Sequence, residues 1–215
     1  MTTRRARPMT PAALVEHLVG VLVSQQAAAA VRVGIDGPRA ADPAGLAHRL
    51  VDPLRAAGRA ALRVSTEGFL RPASLRFEHG RDDPDSYYED WFDLGALRRE
   101  VLDPLGPGGC QRYLPALWDP IRDRSPRYPR VRAPAAAIAL VDGPFLLGRG
   151  LPFDLTVHLQ LSAAARARRT IPSEHWTLPA FARYDREVRP AAVADVVVRM
   201  EDTRHPALQI SDDVS

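Results

Sequence analysis

The apolar run Val31-Arg32-Val33-Gly34-Ile35 breaks at Asp36-Gly37, and a few residues later Asp42-Pro43 opens a helix-forming stretch. A short buried strand that turns at glycine into a helix is the unit from which parallel sheets with helices on both faces are built, so this segment restricts the fold class sharply. Similar units follow. Ala60–Ser65 and Ala136–Val141 read as buried strands that stop at Thr66-Glu67-Gly68 and Asp142-Gly143, and Leu155–Leu161 reads as a fourth, with a helix from Ser162 to Arg169. Asp195–Arg199 reads as a last strand. The prediction is an α/β, three-layer domain around a mostly parallel sheet of about five strands, joined by right-handed crossovers.

The helices have their own signals. Leu14, Leu18, Val21 and Leu22 recur at helical spacing and predict a leading helix from Pro11 to about Ala29, with Ala27–Ala30 as helix-compatible filler. Asp42 as N-cap and Pro43 at the first helical position predict a helix to about Val51, kinked or restarted by Pro53. Further helices are predicted over Leu94–Leu102 and Pro179–Val188, and an irregular excursion or hairpin over 111–134. The expected organisation is a flexible basic N-terminus over 1–10, a single domain over 11–202 and a flexible tail over 203–215.

Composition excludes several classes. All 29 basic residues are arginine, and lysine and asparagine are both absent, which reads as compositional bias. The net charge is only +3 and the arginines are scattered along the chain, so a nucleic-acid partner is not expected. One cysteine, Cys110, excludes an internal disulfide and a Cys-rich zinc site. No apolar stretch approaches the ~20 residues that span a bilayer, and the N-terminus lacks a signal-peptide core, so the expected location is the cytoplasm. The histidines show no metal-ligand spacing, and His158, inside an apolar strand, reads as a hydrogen-bonded, half-buried side chain.

Gly37-Pro38-Arg39-Ala40-Ala41-Asp42-Pro43-Ala44 occupies the place of a phosphate-binding loop, which normally reads G-x-x-x-x-G-K-[ST]. The first glycine is present. Asp42, Pro43 and Ala44 replace the second glycine, the lysine and the hydroxyl, and no lysine elsewhere can substitute. Ligands of open α/β sheets bind beyond the carboxyl ends of the strands, where Asp36, Glu67 and Asp142 would converge. Such acids suit proton acceptance or metal organisation, or else are merely polar residues where strands leave the core.

Three longer blocks carry a resemblance. They are Ser65–Pro72, His79–Asp90 with its run Arg81-Asp82-Asp83-Pro84-Asp85-Ser86-Tyr87-Tyr88, and Leu97–Gly109 with Asp103-Pro104-Leu105-Gly106-Pro107-Gly108-Gly109. Together with Trp118-Asp119, Leu140–Leu146 and Tyr184–Pro190, they resemble the uridine kinase and phosphoribulokinase-like branch of the P-loop nucleoside kinases, over about Val31 to Asp202. The resemblance implies a P-loop kinase-like fold and transfer of the ATP γ-phosphate to the 5′-hydroxyl of a nucleoside, with Mg2+. It implies Gly37 as the opening loop glycine, Glu67 in the place of the acid that activates the acceptor, and Asp82 on the ribose hydroxyls. It also implies Trp118 near the base, Asp142 as the third-strand acid that would serve the metal, and Arg166, Arg168 and Arg169 as lid arginines on the phosphates. From the residues themselves, Tyr87, Tyr88, Trp91 and Phe92 read as a mixture of nucleoside-stacking pocket residues and core of the inserted segment.

The departures from that pattern oppose ATP. Pro43 removes both a charge and a backbone donor, and Asp42 sets a negative charge where phosphates would lie. Arg39 is a candidate replacement grip, since guanidinium binds phosphate in bidentate fashion. Three readings follow: a divergent kinase-like protein with a kept nucleoside pocket and weak or absent transfer, a transferase with an arginine-rebuilt phosphate site, and a non-enzymatic binding or scaffolding protein. A homo-oligomer is compatible with all three.

Overall fold

The computed structural model describes residues 5–25 and 28–210. In chain order the elements begin with β1 (Arg5–Pro8), α1 (Pro11–Val23), β2 (Val31–Asp36), α2 (Pro43–Ala56) and β3 (Ala61–Ser65). Short helices α3 (Ala73–Arg76), α4 (Pro84–Glu89), α5 (Leu94–Leu97) and α6 (Asp103–Leu105) lead to the two-residue strands β4 (Arg112–Tyr113) and β5 (Val131–Arg132). Then come β6 (Ile138–Gly143), β7 (Leu155–Gln160), α7 (Ala163–Arg169), α8 (Leu178–Glu187), α9 (Pro190–Val193), β8 (Val196–Arg199) and β9 (Ala207–Ile210).

The main sheet has the order β1-β9-β8-β7-β2-β6-β3. Its five consecutive members from β8 to β3 are parallel, which matches the expected number; β9 and β1 extend it as antiparallel edge strands. Flexible ends were expected over 1–10 and 203–215; within those spans Arg5–Pro8 and Ala207–Ile210 are strands, while residues 1–4 and 211–215 lie outside the described residues. Arg7 pairs with Leu208 and Pro8 with Ala207, and Leu208 is buried. The strand-forming signal is weak in both segments because each is short and holds arginine, proline or glutamine; the pairing of β9 with β8 and of β1 with β9 makes them strands.

Alternation along β2 and β6 divides the core. Val31, Val33, Ile35, Ile138 and Leu140 pack with the buried stripes of α1 and α2 on one face. Ala139, Val141 and Val64 pack with Ala96, Leu97, Val101, Leu102 and Leu105 on the other. The result is three layers with both faces of the parallel sheet covered, as such sheets require.

Several boundaries differ from expectation for identifiable reasons. α1 stops at Val23 rather than near Ala29; the alanines from 28 to 30 lie outside it, and Ala27 is outside the described residues. α2 runs through Pro53 to Ala56, because Leu50 and Leu54 are both fully buried one turn apart and hold the last turn against the core. The helix expected over Leu94–Leu102 relaxes into a π-helical turn over Arg98–Leu102. Pro104 has no N–H to return to the Glu100 carbonyl, which accepts from Leu114 N at 3.0 Å instead.

Leu208 tests the edge strands. Leu208→Ala should lower unfolding stability in urea by about 2 to 4 kcal/mol, the range for a buried leucine. A variant as stable as the parent would show that β9 does not contribute to the fold.

Candidate functional site

The parallel register brings the carboxyl ends of the strands to one rim: Asp36 lies opposite Gly143 and His158, and Ser65 opposite Asp142. Above that rim is a cleft of about 750 Å³. The loop after β2, the turn after β3, α4 and the segment from Arg169 to Phe181 enclose it.

One end is the loop that corresponds in place to a phosphate-binding loop. Gly37 leaves β2 with φ +157°, and a Cβ there would lie 3.0 Å from the Leu159 carbonyl oxygen, so glycine is required. Arg39–Ala41 forms a 3-10 turn and Asp42 sits in the left-handed region at φ 59°, ψ 53°. The carboxylate of Asp42 folds over the amino end of α2 and accepts the Gly45 N–H at 2.9 Å, with Arg49 Nη1 3.2 Å away on its other oxygen. Gly45 makes room for it: a Cβ on that residue would lie 2.0 Å from Asp42 Oδ2. An internal anion thus occupies the helix terminus that would otherwise attract a phosphate.

The acids at the other strand ends are also engaged. Asp142 is buried and receives a two-pronged grip from Arg63, whose Nε and Nη2 lie 2.5 and 2.9 Å from its two oxygens. Burial pushes the Asp142 carboxyl above its ordinary value, and the Arg63 guanidinium opposes that shift. Glu67 receives Arg39 Nη2 at 2.6 Å, while Arg39 Nη1 reaches Glu174 at 3.2 Å. Burial works against the Arg39 charge, but Glu67 and Glu174 hold it above its usual range. Asp36, fully buried, accepts Leu146 N–H at 2.9 Å and lies 2.6 Å from His158 Nδ1. His158 is therefore the hydrogen-bonded side chain expected of it, though buried rather than half-buried.

The opposite wall is aromatic. Tyr87 stands edge-on to Trp91, Phe92, Phe145, Trp176 and Phe181, with ring centroids 5.1–6.1 Å apart. Of these, Tyr87, Trp91, Phe92, Trp176 and Phe181 line the cleft together with Leu70. Burial raises the Tyr87 hydroxyl pKa well above its ordinary value. Tyr184 lies behind this wall, its hydroxyl accepting Leu147 N–H at 3.0 Å.

The structure unites Gly37, Arg39, Glu67, Tyr87, Asp142 and Arg169 in the cleft and leaves four expected residues outside it. Asp82 is exposed away from the cleft, while its neighbour Asp83 caps α4 through Ser86 N at 2.6 Å. Trp118 donates from Nε1 to Asp123 at 3.1 Å, and Pro120 rather than Trp118 reaches the cleft. Arg166 is buried against Asp185 at 2.7 Å and over the Phe181 ring, outside the cleft. Arg168 is exposed; Arg169 lines the cleft, but its guanidinium bonds the Met200 and Glu201 carbonyls. Sequence reasoning missed Arg63, Glu174, Trp176 and Phe181. An arginine inside the apolar strand β3 was a usable signal for Arg63; the other three come from a segment some 90 residues beyond Tyr87, with nothing local to mark them.

No family's sequence profile and no curated protein matches the chain. Solved structures do. A possible uridine kinase from Bacillus stearothermophilus superposes with a TM-score of 0.69 at 19% identity, over 85% of this chain and 96% of that one. The two chains share one fold. A D-glycerate 3-kinase from Cryptococcus neoformans var. grubii shares it, with a TM-score of 0.58 at 16% identity over 92% of this chain and 99% of the other.

An ATP–magnesium pair, the cofactors that the sequence resemblance implies, does not fit these residues. Asp42 fills the phosphate end of α2, Pro43 offers no N–H, Ala44 offers no hydroxyl, and Arg63 occupies both oxygens of Asp142. No group of three or more His, Cys, Asp or Glu side chains suited to a metal occurs among the described residues. No described helix is long and apolar enough to cross a membrane.

The contact between Asp42 and Gly45 can be isolated by a double-mutant cycle. Gly45→Ala should destabilise the parent by displacing the Asp42 carboxylate. In an Asp42→Gly background the same change should stabilise by about 0.5 to 1 kcal/mol, the ordinary helical gain over glycine. Equal effects in both backgrounds would show that the carboxylate does not lie over the helix end.

Proposed function

We propose that the protein is a P-loop kinase-fold binding protein that holds a nucleoside or similar planar small molecule in the cleft and does not transfer phosphate from ATP. The observation that carries this reading is the Asp42 carboxylate over the amino end of α2, in the place of the phosphate. A carboxylate there repels an incoming triphosphate instead of merely failing to bind it.

The acceptor side supports the second half of the reading. Tyr87, Trp91, Trp176 and Phe181 supply a broad apolar wall for a flat ring, and Arg39, Glu67 and Glu174 supply polar edges for hydroxyl and amide groups. A mostly apolar cleft with a few convergent polar groups is the usual form of a small-molecule site. The arginine-rebuilt transferase is disfavoured because Arg39, its proposed phosphate grip, is spanned between Glu67 and Glu174.

The test joins a transfer assay to calorimetry. Radiolabelled ATP or GTP and a panel of nucleosides should give no phosphorylated product above the protein-free control. Titration of the same panel should give saturable binding of at least one member, weakened about tenfold or more by Tyr87→Ala, as loss of a stacking face predicts. Product formation abolished by Glu67→Gln would overturn the reading, as would failure of every nucleoside to bind.

Restoring the loop alone should not restore catalysis. The combined Asp42→Gly, Pro43→Lys and Ala44→Thr variant should remain without transfer, because Arg63 still occupies Asp142 and Arg39 still occupies Glu67. Kinase activity in that variant would show that the loop is the sole defect.

A further inference from the structure

Taken over the whole chain the arginines are scattered, but six of them fall on the one excursion that β4 and β5 close. Residues 111–134 contain Arg112, Arg122, Arg124, Arg127, Arg130 and Arg132 against two acids, Asp119 and Asp123, a formal charge of +4. The whole chain carries +3, so everything outside this projection sums to −1. The entire positive balance of the molecule therefore sits on one excursion beside the cleft, to which Pro120 belongs.

The two acids are committed elsewhere. Asp119 accepts the N–H groups of Ile121 and Arg122 at 3.0 and 3.1 Å and lies 3.8 Å from the Arg122 guanidinium. Asp123 accepts Ala73 N–H at 2.9 Å and Trp118 Nε1–H at 3.1 Å, and lies 3.7 Å from Arg76. Arg130 is neutralised from outside by Glu100 at 2.5 Å. Arg112, Arg124, Arg127 and Arg132 have no acidic partner among the described residues; Arg112 Nη2 reaches only the Arg130 carbonyl.

The ribbon adds an unfavourable arrangement. β4 and β5 are antiparallel with Arg112 directly opposite Arg132, so two guanidinium side chains leave the same face of a two-stranded ribbon. Directly opposed like charges destabilise a strand pair, and an anion bridging them would reverse that cost. Tyr128, 54% exposed, stands between Arg127 and Arg130, and every residue from Arg127 to Arg132 is exposed. Pro126 and Pro129 stiffen the approach, and Arg127 is held in the left-handed region at φ 54°.

We propose that this projection is a docking surface for single-stranded nucleic acid. The four acid-free guanidinium groups fit backbone phosphates, and the Tyr128 ring offers a flat face on which any base stacks. Charge alone would suit an acidic protein equally; the exposed aromatic ring within the arginine run favours unpaired bases.

The test is fluorescence anisotropy with labelled 20-nucleotide RNA and DNA single strands at increasing salt. Saturable binding should appear with a log–log salt slope of about −2 to −3, as release of counterions from three or four phosphates predicts. Arg124→Ala, Arg127→Ala and Arg132→Ala together should weaken binding about tenfold or more. Tyr128→Ala should weaken it without changing the salt slope. All four side chains are exposed, and unchanged thermal melts would confirm that the variants fold. A control that removes equal charge outside the ribbon, Arg168→Ala, Arg186→Ala and Arg204→Ala, should retain binding. Absence of saturable binding, equal loss in the control, or tighter binding of duplex DNA or a poly-glutamate peptide would each overturn the proposal.

Discussion

A single carboxylate at the amino end of α2 governs the character of the cleft. Asp42 holds a left-handed conformation that an aspartate adopts far less readily than glycine, and its side chain is tied to Gly45 N and Arg49. The arrangement is self-consistent: glycine at 45 admits the carboxylate, proline at 43 starts the helix without a donor, and the helix terminus is satisfied from within. A loop that meets its own hydrogen-bond needs has little to offer an external phosphate.

The same pattern extends around the rim. Asp142 is matched by Arg63, Glu67 by Arg39, Glu174 by Arg39 and Asp36 by His158. Asp36, Glu67 and Asp142, the acids that a catalytic reading would leave free, each have a partner on another element. The aromatic wall from α4 and the segment ending in α8 lines the same cleft with Tyr87, Trp91, Trp176 and Phe181. A polar end closed by Asp42 and its neighbours, facing an apolar aromatic wall, is the arrangement from which the binding reading is drawn.

Much of the frame was legible in the sequence because buried parallel strands read as short apolar runs. Val31–Ile35 and the strand ending at Asp142-Gly143 fell within a residue or two of β2 and β6. The edge strands β1 and β9 were not legible, since Arg5–Pro8 and Ala207–Ile210 become strands only by pairing with each other and with β8. Gly37 and Asp42 line the cleft, where their offsets from β2 put them. Asp82, Trp118 and Arg166 do not, because position in a motif does not determine direction: one is exposed, one is turned to Asp123 and one is drawn into an ion pair with Asp185. The partnering of Asp142 by Arg63 and of Glu67 by Arg39 depends on neighbours that only the folded sheet and loops bring together.

The most direct measurement is the equilibrium affinity of ATP, with magnesium present, for the parent protein and for Asp42→Gly. The account predicts no saturable binding to the parent at millimolar ATP, and a measurable gain when the carboxylate is removed. Micromolar binding to the parent, unchanged or weakened by Asp42→Gly, would contradict it, because the carboxylate would then not be standing where the phosphate goes.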